Sequence, residues 1–442
     1  MKTQDIVLTI VNIALYVEPC QSPIFRHIFH ANTISSNTYQ QNKIFIFPFV
    51  NYNKLMSQCL YCGNNPIHHR THKFYESFDI LTGPVRRTIF NSWFGTLLDR
   101  LTDYIGLGIY YFLTPLGLIK INLDIDQVPY PRAQALWQEA IARNIPFEEI
   151  KPFGRSIDLY RTKPNGKTIY FMGLPRSQTI TTSNLGWIDD KYLLKKELMR
   201  YGLPVAAGGS FTTLGFALKA FENLEKPVIV KPRAGSRGRH TTTLVYTKDD
   251  LIQAFKIAKQ LCHWVVVEEH LFGDVQRGTV IGGKLVGVLG GSPPRVTGDG
   301  KSTIAQLIEL KDKQRPDKVK ETKVNPYFLK RQKLTMENIL PQGRTVDLSE
   351  KVGVNYGGTS YDCSQETHPD TKQMLEQAAK ILDISILGFD FIVPDITKSY
   401  KQQKCGIIEC NGAPFIQLHH DPLYGKSINA AKYVWDLMLE TK

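Results

Sequence analysis

No stretch of the 442-residue sequence reaches the 18 or so consecutive apolar residues that would mark a membrane-crossing helix. The nearest run, "IGLGIYYFLTPLGLI" at 105–119, is too short and is broken by Pro115, so no membrane span is expected. The opening "MKTQDIVLTIVNIALYV" has a lone Lys and a short apolar run, like a weak secretory signal. It lacks a small-residue cleavage site and carries Asp5, so it reads rather as a buried strand or helix. Cysteine is sparse, with seven residues scattered along the chain, which excludes a disulfide framework and fits a reducing compartment, the cytoplasm by default. A Walker-type spacing G-x-x-x-x-G-K-[ST] is missing, and neither an aromatic stacking platform nor a recognition helix is evident, so nucleic acid is not an expected partner. Acidic residues are outnumbered, 41 against 54 Lys and Arg, leaving a formal charge of +13 that attracts anions without choosing among them.

What is present suits packed domains: 42% hydrophobic and 11% aromatic residues over a length that accommodates two or three domains. Residues 1 to about 90 show weak periodicity. Their one local feature is "CLYCGNNPIHHRTH", where Cys59 and Cys62 are followed by His68, His69 and His72, either half of a zinc site or a His-rich surface loop. The basic segment 311–333, "KDKQRPDKVKETKVNPYFLKRQK", reads as a solvated insertion or as an anion-steering lid.

From about 120, short strands alternate with helices. "RAQALWQEAIARNIPF" predicts an amphipathic helix with Leu136, Ala140 and Ile141 on one stripe, and "DDKYLLKKELMRYG" a helix closed by Gly202. "KPVIVKPRAGSRGRHTTTLVY" predicts two strands around a flexible turn, "KDDLIQAFKIAKQL" a helix, and "HWVVVEEHL", "RGTVIGG" and "KLVGVLGG" strands. The helix "TKQMLEQAAKIL" and the strands "GFDFIV" and "CGIIECN" follow. This is an α/β or α+β chain with one continuous functional half from about 180.

Three patterns in that half carry chemistry. In "PVIVKPRAGSRGRH" a strand delivers Lys231 to its end, and Gly235 and Gly238 bracket a loop with Arg233, Arg237 and Arg239. Glycine lets backbone N–H groups approach phosphate oxygens and Lys adds mobile charge, although a glycine-rich hairpin on a basic surface fits equally well. In "WVVVEEHLFG", Glu268 and Glu269 end an apolar strand, either beside an adenine ring or as solvated carboxylates. In "GFDFIV" and "GIIECNG", Asp390, Glu409 and Asn411 each occupy the polar face of a strand. Phe389 and Phe391 lie opposite Asp390, and Ile408 and Cys410 lie opposite Glu409 and Asn411. Three oxygen donors on two neighbouring strands suit one or two Mg²⁺ ions (or Mn²⁺).

Residues 180–425 resemble the ATP-grasp superfamily of carboxylate–amine ligases, most closely the ATP-grasp domains of cyanophycin synthetases and bifunctional glutathione synthetases. The pieces stand in order: "DDKYLLKKEL", "VIVKP" with its glycine loop, "VVVEEHLFGD", "PPRVTGDGKSTIAQLIE", "VNYGGTSYDCSQETHPD", "GFDFIV" and "IIECNGAPFIQLHHDP". The resemblance implies an α+β (α/β-like) ATP-grasp fold that holds ATP between two α+β subdomains, behind an N-terminal extension. It divides the chain into an extension, 1–100, a pre-grasp-like domain, 101–185, a small grasp subdomain, 186–266, and a C-terminal subdomain, 267–442.

By the same resemblance, Lys191 and Lys231 hold ATP phosphates, Gly235 and Gly238 cover them, and Glu268, Glu269 and Leu271 form the adenine hinge. Asp390, Glu409 and Asn411 bind magnesium, and Arg277 stands by the transferred phosphoryl group with Lys231 as its catalytic companion. Gly357, Gly358 and His419 hold substrate. Asp274 stands one place before the expected ribose contact, at Val275, and His240 replaces a loop glycine. The implied activity is ATP-dependent amide formation through an acylphosphate, on amino-acid or peptide substrates, with a homo-oligomer among the expected partners. The alternatives are glutathione-type, γ-glutamyl or D-alanyl peptide synthesis, modification of a protein terminus, or non-catalytic nucleotide binding. The Mur-ligase-like domain of cyanophycin synthetase has no counterpart in these 442 residues, so full cyanophycin synthesis is not implied.

Overall fold

The computed structural model describes residues 59, 61–62, 67–90, 108, 110–175 and 187–440. The opening apolar run lies outside them, and no helix among them is long and apolar enough to cross a membrane. Two compact units emerge, the larger taking in Met56–Thr82 and Trp187–Leu437, the smaller Gly83–Gly186 together with the C-terminal residues from Met438. Helix α1 (His69–Phe90) starts in the larger unit.

In the smaller unit β1 (Ile119–Asn122), β2 (Phe147–Pro152), β3 (Leu159–Thr162) and β4 (Ile169–Met172) form an antiparallel meander in that order. Helix α2 (Pro131–Ala142) opens on a proline, which suits a first turn whose N–H groups have no partner anyway. Its buried stripe is Ala133, Leu136, Trp137 and Ala140, and Trp137 packs on Phe147 with ring centroids 4.9 Å apart. Ile141, expected on that stripe, is 59% exposed. At about 100° per residue, Ile141 lies roughly 90° from the centre of that stripe, at its edge.

The larger unit contains two sheets. Strands β5 (Gly208–Phe211), β6 (Val228–Pro232), β7 (Thr242–Val245) and β8 (Val265–Glu269) pair antiparallel in the order β5-β8-β6-β7. One face, with Val228, Val230, Val265 and Val267, packs under helices α4 (Leu214–Asn223) and α5 (Lys248–Ala258). The other face, to which Lys231 and Glu268 belong, is left for helix α3 (Lys191–Arg200).

The second sheet runs β13 (Thr359–Asp362), β10 (Lys284–Ser292), β9 (Val275–Ile281), β14 (Ile386–Ile392), β15 (Gly406–Asn411), all neighbours antiparallel. Helix α8 (Pro369–Leu382) covers one face so closely that a Cβ on Gly278 would lie 2.5 Å from Leu375 Cδ1. Phe389 and Phe391 are fully buried in the sheet, while Asp390 is not. The alternation Phe-Asp-Phe thus separates core from polar face, as expected.

Residues 295–348 form a third cluster, correcting the reading of 311–333 as a solvated insertion. Strands β11 (Arg295–Thr297) and β12 (Thr345–Asp347) pair, and helices α6 (Ile304–Lys313) and α7 (Pro326–Arg331) bury Ile304, Ile308 and Leu329 against Val296, Leu334 and Val346. Local signals stop and start these helices: a Thr303/Gln306 capping box begins α6, and Asn325 caps α7 ahead of Pro326. All the lysines but Lys311 stay outside while Val319, Phe328 and Leu329 go in, a pattern too short in period to show through the charge.

Candidate functional site

Glu268 is 2% exposed, and its carboxylate accepts from Lys195 Nζ and, at 2.6 Å, from Lys231 Nζ. Burial alone would raise its pKa, but the two ammonium groups outweigh it and hold the carboxyl below its usual range. Lys195 pays for the arrangement: burial drives its pKa down to about 7 despite Glu268, and Lys231 adds to the fall. Below about pH 7, where Lys195 is protonated, two cations share one anion and a positive charge is left over for a ligand. The Glu268 carboxylate, expected at the adenine hinge, is thus engaged by two lysines, one on each oxygen. Lys195 was overlooked in the sequence, although its i,i+4 spacing from Lys191 puts both on one face of α3.

Helix α3 links the two sheets. Asp190 caps it, accepting from the N–H of Tyr192 and Leu193, and also takes Arg233 Nη2 at 2.7 Å, so Arg233 is spent on the helix cap. Lys191, the first residue of α3, donates from Nζ to the Gly235 carbonyl and lies 3.8 Å from the Glu409 carboxylate. The glycine-rich loop between β6 and β7 therefore meets the end of β15 through one ammonium group. Within that loop Gly235 and Gly238 have φ of 122° and 58°, and Lys351 Nζ ties down the Gly238 carbonyl at 2.7 Å.

On the second sheet, Asp390 pairs directly with Arg277 on β9 and with Glu409 on β15, and Asn411 pairs with Gly388. The Arg277 guanidinium grips Asp390 with both Nε and Nη2. Burial alone would lower the Arg277 pKa, yet Asp390 more than offsets it and the net shift is upward. Burial also pushes Asp390 up, with Glu409 adding to it and Arg277 and Lys191 opposing. The guanidinium itself keeps its charge, since arginine does not give up its proton. Among the described residues, Arg277 Nη1 and Asn411 Nδ2 are buried without a hydrogen-bond partner, and such orphans are where a ligand oxygen belongs. Two mutually repelling carboxylates and a carboxamide form a hard oxygen set that fits Mg²⁺ or Mn²⁺.

Gly388 is a further residue the sequence did not single out. A Cβ there would stand 2.7 Å from Pro414 Cβ and 3.3 Å from Arg277 Nη1, so glycine keeps room for the guanidinium. Strand alternation also misplaced Ile408. A bulge between Asp390 and Phe391 pairs Phe391 with Ile407, leaving Ile408 as an extra residue. Ile407 and Cys410 are fully buried, whereas Ile408 is half-buried against Ala206, Leu271 and Ile392. Leu271, expected at the adenine hinge, thus sits in an apolar patch next to the carboxylates.

Other expected residues stand apart. The Glu269 carboxylate pairs with Lys404 at 2.9 Å and accepts from the Glu225 N–H, on the opposite side of the strand from Glu268 by simple alternation. Asp274 is taken by Arg295 Nη2 at 2.5 Å and Tyr361 Oη at 2.9 Å, which leaves it outside the Arg277 group. Gly357 and Gly358 line a cleft of about 450 Å³ with Lys311, Arg295, Arg315 and Tyr424, and Lys311 Nζ donates to the Gly357 carbonyl at 2.7 Å. His419 is 1% exposed and its Nε2 lies 2.7 Å from Thr279 Oγ1; burial lowers its pKa to about 4, so it is neutral. Its Nδ1 has no partner among the described residues. Thr279 and Arg277 share a face of β9, so His419 extends the same polar row.

No family model matches the chain. Cyanophycin synthetase of Crocosphaera subtropica is 31% identical over 332 residues, covering 70% of this chain and 36% of that protein. The glutathione biosynthesis bifunctional protein of Clostridium perfringens is 28% identical over 322 residues, covering 69% of this chain and 40% of that one. Among solved structures, a bifunctional glutathione synthetase from Pasteurella multocida is 26% identical with a TM-score of 0.49, over 71% of this chain and 44% of the other. The chain spans less than half the length of these curated relatives.

Proposed function

Because this chain belongs to the ATP-grasp ligases related to cyanophycin and bifunctional glutathione synthetases, we propose that it is an ATP-dependent carboxylate–amine ligase, ADP-forming, acting on amino acids or peptides. The observation that carries the reading is Lys191, which stands against both the Gly235 carbonyl and the Glu409 carboxylate. In this reading the loop would cover the phosphates and the oxygens would hold the cation, and phosphoryl transfer requires the two side by side.

In this reading Lys191 and Lys231 bind the triphosphate, and the charge left over beside Glu268 is satisfied by phosphate oxygens. Leu271 and Ile408 face the adenine ring. Asp390, Glu409 and Asn411 would hold a divalent cation, whose charge offsets that of the β and γ phosphates. The substrate carboxylate attacks the γ-phosphorus, the bond to the β-phosphate oxygen breaks, and ADP leaves. Arg277 Nη1, unpartnered and held in place by Asp390, donates first to the transferred phosphoryl oxygens and then to the oxyanion formed when the amine attacks the acyl carbon. Loss of a proton from the amine and departure of phosphate complete the amide. The loop glycines allow closure that keeps water from the acylphosphate. The basic cleft at Gly357 and Gly358 is the place for the acidic end of a substrate.

The test is a phosphate-release screen of purified protein with Mg-ATP over amino acids and dipeptides, with mass spectrometry of the products. ADP and phosphate should appear only with a productive pair, together with a condensation product lighter than its parts by one water. Asp390→Asn should lower the rate by about a hundredfold or more, the scale of losing one electrostatic stabiliser, with the fold kept. Tight ATP binding without acceptor-dependent ADP release would instead make the chain a nucleotide-binding module.

A further inference from the structure

The pair Cys59 and Cys62 has no part in the chemistry above, yet the fold gives it two imidazole partners. Cys62 Sγ lies 3.2 Å from His69 Nε2 and 3.4 Å from His240 Nε2, and Cys59 Sγ lies 3.4 Å from His240 Nε2. All four ligand atoms fall within 4.8 Å of one another. A tetrahedral ion with bonds of about 2.3 Å to sulfur and about 2.0 Å to nitrogen sets its sulfur and nitrogen ligands roughly 3.5 Å apart. The observed separations are those of a coordination shell.

We propose that Cys59, Cys62, His69 and His240 bind a structural Zn²⁺ ion that fastens the glycine-rich loop to residues 59–69. His68 and His72, adjacent in sequence, are not members: His68 Nδ1 bonds Thr71 Oγ1 at 2.7 Å, and His72 Nδ1 lies 3.4 Å from Glu76. The fourth ligand comes from 178 residues beyond Cys62.

Four further observations support a metal over a chance cluster. His240 Nδ1 lies 2.9 Å from the Ile257 carbonyl, which accepts its proton and leaves Nε2 bare toward the sulfurs, the outer contact typical of metal-bound histidine. The His69 and His240 rings meet edge to face at 4.6 Å, each aiming Nε2 at Cys62. Cys62 and His240 are buried, as in closed structural sites with four protein ligands. His240 also adopts φ 52°, a conformation that favours glycine, and its N–H donates to the Tyr61 carbonyl at 3.0 Å. A side chain is thus kept where the backbone would prefer none, and ligation accounts for it.

The ion would set the loop against the 59–69 segment whether or not nucleotide is present, so this proposal stands apart from the ligase reading. Its test needs no turnover. The full chain, purified under reducing conditions, should carry one zinc per molecule by elemental analysis and retain it against a moderate chelator. Replacing zinc with Co²⁺ should give the intense visible bands and sulfur charge-transfer absorption of tetrahedral thiolate coordination. His240→Cys, which keeps a ligand, should preserve stoichiometric zinc, and His240→Gly, which suits the backbone but cannot ligate, should lose it. A chain that contains no zinc, takes up none, and gives only the weak bands of hydrated Co²⁺ overturns the proposal. So does equal retention in wild type and His240→Gly. Cobalt spectra on the unaltered chain keep the test decisive if a variant fails to fold.

Discussion

Glu268→Gln is the sharpest test of the buried charge cluster. The change is isosteric, but it leaves Lys195 and Lys231 without an anion and points an amide N–H₂ at one ammonium group. Removing one partner of a buried ion pair costs about 3–5 kcal/mol, mostly as uncompensated charge. At roughly 2–4 °C per kcal/mol for a domain of this size, the melting temperature should fall by about 10 °C. Lys195 is the group able to relieve the strain, since burial has already brought its pKa to about 7. Adding Lys195→Met to Glu268→Gln should therefore recover much of the loss. ATP should raise the melting temperature of Glu268→Gln more than that of wild type, because phosphate takes over as the counter-charge. Differential scanning calorimetry with and without ATP reads all three. A melting temperature within about 2 °C of wild type, with an unchanged ATP shift, would refute the reasoning.

Lys195 also sets a pH dependence. Its folded pKa, about 7, lies below the ordinary 10.5, so between these values the unfolded chain binds more protons and stability contributed by this group rises with pH. Relative to Lys195→Met, wild type should gain up to about 1.4 kcal/mol per pH unit above pH 7 in denaturant titrations; a flat difference counts against the shift. Gly388→Ala should displace Arg277 or Pro414 at a cost of roughly 1–3 kcal/mol. Its turnover should fall much further than its nucleotide affinity, and an alanine variant with full activity would show that the guanidinium is not confined.

How far the sequence could be read depended on the range of the physics involved. Strand alternation is local, so "GFDFIV" and "GIIECNG" already separated Asp390, Glu409 and Asn411 from the core, and the structure pairs Asp390 with Glu409. Glycine and lysine at the end of β6 likewise announced a loop with exposed backbone. What escaped depends on distant partners. Nothing near Glu268 reveals that Lys195, 73 residues earlier, will claim its carboxylate. The Cys59 and Cys62 motif suggested its own neighbours as ligands, yet His68 bonds Thr71, His72 on helix α1 lies beside Glu76, and the loop brings up His240. The segment 311–333 looked solvated because its lysines outnumber the few apolar residues that anchor it.

The extra residue in β15 has an effect beyond local geometry. By swinging Ile408 toward Leu271 while Glu409 stays opposite Asp390, it would, in the function proposed above, assign ring recognition and cation recognition to consecutive side chains of one strand. A deletion at Ile408 would smooth the strand yet strip the hydrophobic wall from beside the carboxylates. On that proposal, a change of base preference at this edge would disturb the grip on the cation, and the two preferences should drift together.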